Sequence, residues 1–116
     1  MDAPTIVLRQ QDVENLWQWS SVLGNNAIIV SFRRGNLHAR TEGNETEIEK
    51  YGVAWNVPHE RKARYSASQF AAAIDQVRNS GEIQFSMGTN GHLYLRRQPD
   101  VVLAPLAEPS RTRDAT

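Results

Sequence analysis

The chain contains no cysteine, which excludes disulfides, thiolate metal sites and cysteine nucleophiles and fits a reducing cytoplasm. It also lacks long apolar runs: the longest spans a few residues, far short of the roughly 20 needed to cross a bilayer. Met1-Asp2-Ala3-Pro4 has no basic segment leading into an apolar run, so no signal peptide is expected there. Charge of one sign is missing too. Thirteen basic and thirteen acidic residues cancel, which removes any global pull toward nucleic acid or anionic membrane but leaves room for a local patch. No phosphate-cradling loop is present, because Gly88-Thr89-Asn90-Gly91 lacks the lysine and the following helix and reads as a hairpin turn. His38, His59 and His92 are too far apart for a metal-ligand spacing. Glu42, Glu45, Glu47 and Glu49 read as a solvated edge or loop, since acid–base work needs two carboxylates converging in an apolar cleft. No nucleophile stands beside a base. Neither an enzyme nor a cofactor or metal is expected.

What is present is enough chain for one domain: 116 residues, 40% hydrophobic and 8% aromatic, a composition that supports a modest core. Within it one pattern runs twice: strand, amphipathic helix, three strands. In the first pass Thr5-Ile6-Val7-Leu8-Arg9 leads into a helix over 12–23, with Asp12 as N-cap and Val13, Leu16, Trp17, Ser20 and Leu23 at helical spacing. Gly24-Asn25-Asn26 stops that helix. Residues 27–33 are too apolar to have a wet face and read as an interior strand. Arg34-Gly35-Asn36 turns the chain into a half-exposed strand over 37–42. A longer apolar stretch within 46–57 is interrupted near Gly52.

Pro58-His59-Glu60-Arg61-Lys62 reads as the connector between the two repeats. In the second pass Ala63-Arg64-Tyr65-Ser66 leads into a helix over 68–78, capped by Ser66 or Ser68, with Ala67, Phe70, Ala71, Ile74 and Val77 on its core face. Residues 83–87 alternate as a half-exposed strand, 92–97 complete a hairpin, and 101–104 form a last strand. The expected fold is therefore α+β, a curved antiparallel sheet with two helices on one face. The domain spans 1–105, with repeats over about 5–57 and 62–105, and 106–116 form a disordered tail.

This order of elements resembles one domain of the DNA sliding clamps, the bacterial β clamp and proliferating cell nuclear antigen. The local likeness is strongest from Tyr65-Ser66-Ala67-Ser68-Gln69-Phe70-Ala71-Ala72-Ala73-Ile74 to Gly81-Glu82-Ile83-Gln84-Phe85-Ser86-Met87. The first half follows with Leu8-Arg9-Gln10-Gln11-Asp12 entering a helix. The resemblance implies a ring whose channel is lined by helices and whose subunits join head to tail through edge strands. Known rings hold six such domains, two or three per chain, so a one-domain chain would need about six copies.

Clamp channel helices usually carry Lys and Arg, which hold duplex phosphate without reading sequence. Here the outward faces are Gln11, Asn15, Gln18, Gln69, Asp75, Gln76 and Asn79, with Arg78 at the margin. The DNA-facing candidates are accordingly Gln11, Asn15, Gln18, Gln76, Arg78 and Asn79. A second basic patch, Arg33, Arg34, Arg61, Lys62 and Arg64, with Arg96-Arg97 apart from it, reads as soluble turns or as contacts to phosphate or to a neighbouring subunit's acidic stretch at 42–49. Trp17 and Trp55 fall in core register. Trp19 lies off the apolar face, where a partner or a stacked base could reach it. The sequence points to a cytoplasmic, non-enzymatic, clamp-like homo-oligomer acting around duplex DNA in replication or repair. The alternative is a small module that binds a protein partner without DNA.

Overall fold

The computed structural model describes residues 5–33, 36–43, 49–51, 53–56, 60–96 and 101–106, with 49–51 and 53–56 described by their backbone. In chain order the elements are β1 Thr5–Leu8, α1 Gln10–Ser21, β2 Ala27–Arg33, β3 Asn36–Thr41, β4 Glu49–Tyr51, β5 Val53–Asn56, β6 Arg61–Ser66, α2 Ala67–Asp75, β7 Ile83–Met87, β8 Leu93–Arg96 and β9 Val101–Leu103. Every strand pairing is antiparallel. The α+β architecture is the expected one, with its strands divided between two sheets, ordered β5-β1-β7-β8-β9 and β4-β3-β2-β6.

That division gives the repeat its physical meaning. Exchanging β1 with β6, β2 with β7, β3 with β8 and β4 with β9 turns the order β1-β7-β8-β9 into β6-β2-β3-β4. Each repeat thus places its first strand in the sheet of the other. Tyr65 lies opposite Ile28, and Leu8 lies opposite Ile83 in the equivalent pairing; all four are buried. Neither half can close its own sheet. β5 has no counterpart in this exchange and adds one strand beyond β1.

The helices begin and end for different reasons. α2 starts where Ser66, in extended conformation, accepts a hydrogen bond from the Gln69 amide at 3.4 Å. α1 starts at Gln10, with Arg9 at the N-cap position and no side chain capping it. Asp12 therefore sits inside the first turn and not at the cap, where its carboxylate still faces the positive end of the helix dipole. α1 ends before Gly24, whose φ of +61° is a left-handed conformation that costs other residues a Cβ clash. α2 ends at Asp75, and residues 76–80 continue in turns through Val77 N–H to Ile74 O and Ser80 N–H to Val77 O.

One core joins the layers. Val13 and Leu16 of α1 and Phe70, Ala73 and Ile74 of α2 meet Ile28, Val30 and Phe32 of β2 and Ile83, Phe85 and Met87 of β7, all buried in a single cluster. The two helices pack against each other. β2 lies between β3 and β6, as its continuous apolar character requires. Three sequence expectations change. The interrupted stretch at 46–57 yields two strands that serve different sheets, with position 52 outside the described residues. Arg61 and Lys62 belong to β6 and not to a connector, while residues 57–59 lie outside the described residues. β7 is not half exposed: Ser86 is buried, and its hydroxyl shares a 3.0 Å hydrogen bond with that of Thr5 across β1–β7. Burial of a hydroxyl is tolerated when it is paired.

Candidate functional site

The helix layer holds the residues that the sequence offered as DNA-facing candidates. Gln11, Asn15 and Gln18 are exposed on α1, and Gln76 and Asn79 are exposed in the turns after α2. Two of them are bonded to each other. Gln11 donates through Nε2 to Asn15 Oδ1 at 3.0 Å, one helical turn along the same face. Gln10 reaches across the layer and donates to the Arg78 carbonyl at 2.8 Å.

Arg78 occupies the centre of the arrangement and is held from three sides. Its Nε and Nη2 each lie 3.2 Å from a carboxylate oxygen of Glu14, a two-point fork across the helix pair. Its Nη1 donates to Asp75 at 3.2 Å. The guanidinium carbon stands 3.6 Å from the ring centroid of Trp17, inside cation–π range. Glu14 first, then Asp75, raises the Arg78 pKa further above its ordinary value. Arg78 thus neutralises its own surroundings. α1 and α2 contain Asp12, Glu14 and Asp75 and no lysine or arginine, with Arg9 directly before α1 and Arg78 three residues after α2. The layer is amide-rich with a slight excess of negative charge.

The second patch is engaged in the same way. Arg64 grips Glu42 through two bonds of 2.7 and 2.9 Å, which draws the Glu42 carboxyl below its usual range. Arg61 donates to the Met87 carbonyl at 3.0 Å, tying β6 to the end of β7. Arg33 pairs with Glu60 at 3.5 Å, both half exposed. Lys62 is exposed on β6, and Arg34 lies outside the described residues. Glu42, expected to meet a neighbouring subunit, is bound within its own chain. Arg96 lies 5.8 Å from the Tyr94 ring centroid, and Arg97 is outside the described residues.

Trp19 is half buried and packs against the core, so most of its surface is withdrawn from any partner. Trp17, read as a core residue, is half buried and serves as the platform under Arg78. His38 on β3 and His92 after the hairpin turn are half buried, and His59 lies outside the described residues. The Glu14–Trp17–Arg78 cluster was not legible in sequence. Its two sides are 64 residues apart, and only the packing of α1 on α2 brings them together.

A shallow cleft of about 260 Å³ opens elsewhere, between β6 at Lys62–Arg64, the turn at 89–91, and Pro105 with Leu106. Among the described residues no helix is long and apolar enough to cross a membrane.

No family model and no curated protein matches the chain. Solved structures do match its fold. The DNA polymerase III subunit beta from Pseudomonas aeruginosa superimposes with a TM-score of 0.68, and the DNA polymerase sliding clamp from Pseudomonas aeruginosa with ligand superimposes at 0.67. Each is 12% identical in sequence, with 90% of this chain and 31% of the other covered. The chain thus has the fold of one domain of a bacterial DNA polymerase III beta sliding clamp, and spans about a third of the length of those chains. The likeness read from the sequence is borne out at the level of fold.

Proposed function

We propose that the chain is a non-enzymatic, sliding-clamp-like module that self-associates through strand edges and acts around duplex DNA in the cytoplasm, as an accessory of replication or repair. The observation that carries this reading is the clamp-domain fold covering nine-tenths of the chain. Strand edges with unpaired backbone groups are templates for another chain, and both sheets have ends in β4, β5, β6 and β9. β4 and β9 occupy equivalent ends of the two sheets, so a head-to-tail contact between them joins like surfaces in a repeating way. Closure into a ring satisfies every such contact, whereas a filament leaves two open. With one domain per chain, about six copies complete a ring of clamp dimensions.

DNA would be held by encirclement more than by grip, because the helix layer offers amides and an already paired Arg78. Light scattering tests the assembly: the expected result is a discrete oligomer, and a strictly monomeric mass at about tens of micromolar removes the reading. Retention on circular duplex that is lost on linearisation tests the encirclement.

A second reading is favoured by one observation, the ion-paired Arg78 between two helices that contain no lysine or arginine of their own. On that reading the chain is a clamp-like module that binds a protein partner and not DNA. Absence of binding to both circular and linear duplex at low salt, in a protein that still self-associates, selects it.

A further inference from the structure

β6 is the last strand of its sheet, yet its outer edge is not bare. The Leu106 amide donates to the Arg64 carbonyl at 2.8 Å. Since Arg64 turns that carbonyl away from β2, antiparallel alternation turns the Lys62 backbone to the same outer side, while Ala63 and Tyr65 face β2. The Ala67 amide bonded to Asn26 O fits this alternation. Leaving β9 at Leu103 in one sheet, the chain therefore crosses within three residues to the edge strand of the other.

The crossing is seated on the hairpin turn. Pro105 lies against Gly91, where an added Cβ would stand 3.1 Å from the proline Cγ and 3.5 Å from the Ala63 Cβ. Gly91 has φ +84°, and its carbonyl accepts the Tyr65 hydroxyl at 2.6 Å. Turn, strap and β6 are thus interlocked, with Leu106 half buried. The strap is also a poor template in its own right. Leu106 spends its N–H on β6, and the neighbouring Pro105 has no N–H to offer an incoming strand.

We propose that residues 104–106 are an edge guard: they shut β6 to strand addition and confine self-association to the remaining sheet edges. With β6 shut, the sheet ends left are β4, β5 and β9; opening β6 as well would add a further route to branching, which works against a closed assembly. The guard acts on the self-association proposed above and rests on that reading. The mass of the wild type tests self-association, and the difference between variant and wild type tests the guard.

The experiment uses full-length protein with substitutions at the strap, followed by sedimentation velocity over a concentration series. Leu106→Pro removes the donor and keeps an apolar side chain; Leu106→Ala keeps the donor and serves as control. Pro105→Thr supplies an N–H at the position where the native strap has none. The guard predicts about a twofold or larger rise in weight-average mass, growing with concentration, for Leu106→Pro and Pro105→Thr, and none for Leu106→Ala. Hydrogen exchange should show the Leu106 amide protected in the wild type. Should Leu106→Pro lose its circular dichroism signature of folding, Pro105→Thr decides the matter. Wild-type mass for the folded variants, or an equal rise in Leu106→Ala, overturns the proposal.

Discussion

At the scale of single residues, several polar side chains whose roles the sequence leaves open are bonded inside the chain. Tyr65 is the clearest case, fully buried on β6 with its hydroxyl bonded to Gly91 O. Burial pushes its pKa well above the ordinary tyrosine value, because the phenolate would have to form in a low dielectric. The sign follows from linkage. With a folded-state pKa raised above the unfolded one, the native state holds its proton longer. The contribution of Tyr65 to stability is then intact below about pH 10 and declines as pH rises through and beyond that value. Tyr65→Phe removes both the titration and the bond to Gly91. It should cost about 0.5–1.5 kcal/mol near neutral pH, and its stability should fall less steeply than the wild type's in the alkaline range. Urea denaturation at several pH values measures both effects. Equal alkaline slopes for the two proteins would show that Tyr65 does not govern the loss.

At the scale of elements, the two repeats differ in how well each helix is begun. Ser66 caps α2 with its hydroxyl, while Arg9 occupies the equivalent position before α1 in an extended conformation, φ −75° and ψ 164°, without capping it. The backbone is already in the geometry that a capping serine adopts. Arg9→Ser should therefore stabilise the protein by about 1 kcal/mol, and Ser66→Ala should destabilise it by a similar amount. Thermal unfolding of the two variants reads both signs, and a neutral or destabilising Arg9→Ser would refute the comparison. Helices and most strands were legible in the sequence because their signals are local. Phe70 and Ile74 repeat at helical spacing, Ile28 to Phe32 form a continuous apolar run, and glycines mark the turns. The cap of α1 was misread because Asp12 is the better capping residue, whereas the exit of β1 at Leu8 fixes where the helix must begin. Sheet membership was not legible at all. β4 and β5 read as one interrupted strand, and only pairing with β3 nearby and with β1 at the N-terminal end of the chain sends them to different sheets.

At the scale of the whole molecule, the question is whether the helix layer faces DNA. The candidate residues Gln11, Asn15, Gln18, Gln76, Arg78 and Asn79 were legible as an outward surface, but its electrostatics were not, because the carboxylate that disarms Arg78 lies on the other helix. In the wild type a phosphate must compete with Glu14, Asp75 and the Trp17 ring for one guanidinium, so direct contact should contribute little and Arg78→Ala should leave duplex affinity nearly unchanged. Glu14→Gln together with Asp75→Asn reverses the balance of the layer: one carboxylate, Asp12, then remains against Arg9 and Arg78. If the helices line a channel around duplex, the double variant should bind DNA more tightly at low salt. Its salt dependence should steepen by up to about 0.9 in log–log slope for each subunit whose Arg78 reaches a phosphate. Adding Arg78→Ala to that background should return both affinity and slope to the wild-type level, which separates a phosphate contact from a general relief of repulsion. The readout is a salt titration of duplex binding for the four proteins, with circular dichroism to establish that each retains its helices. A double variant that binds no better than wild type would place the DNA, or any other partner, on a different surface of the molecule.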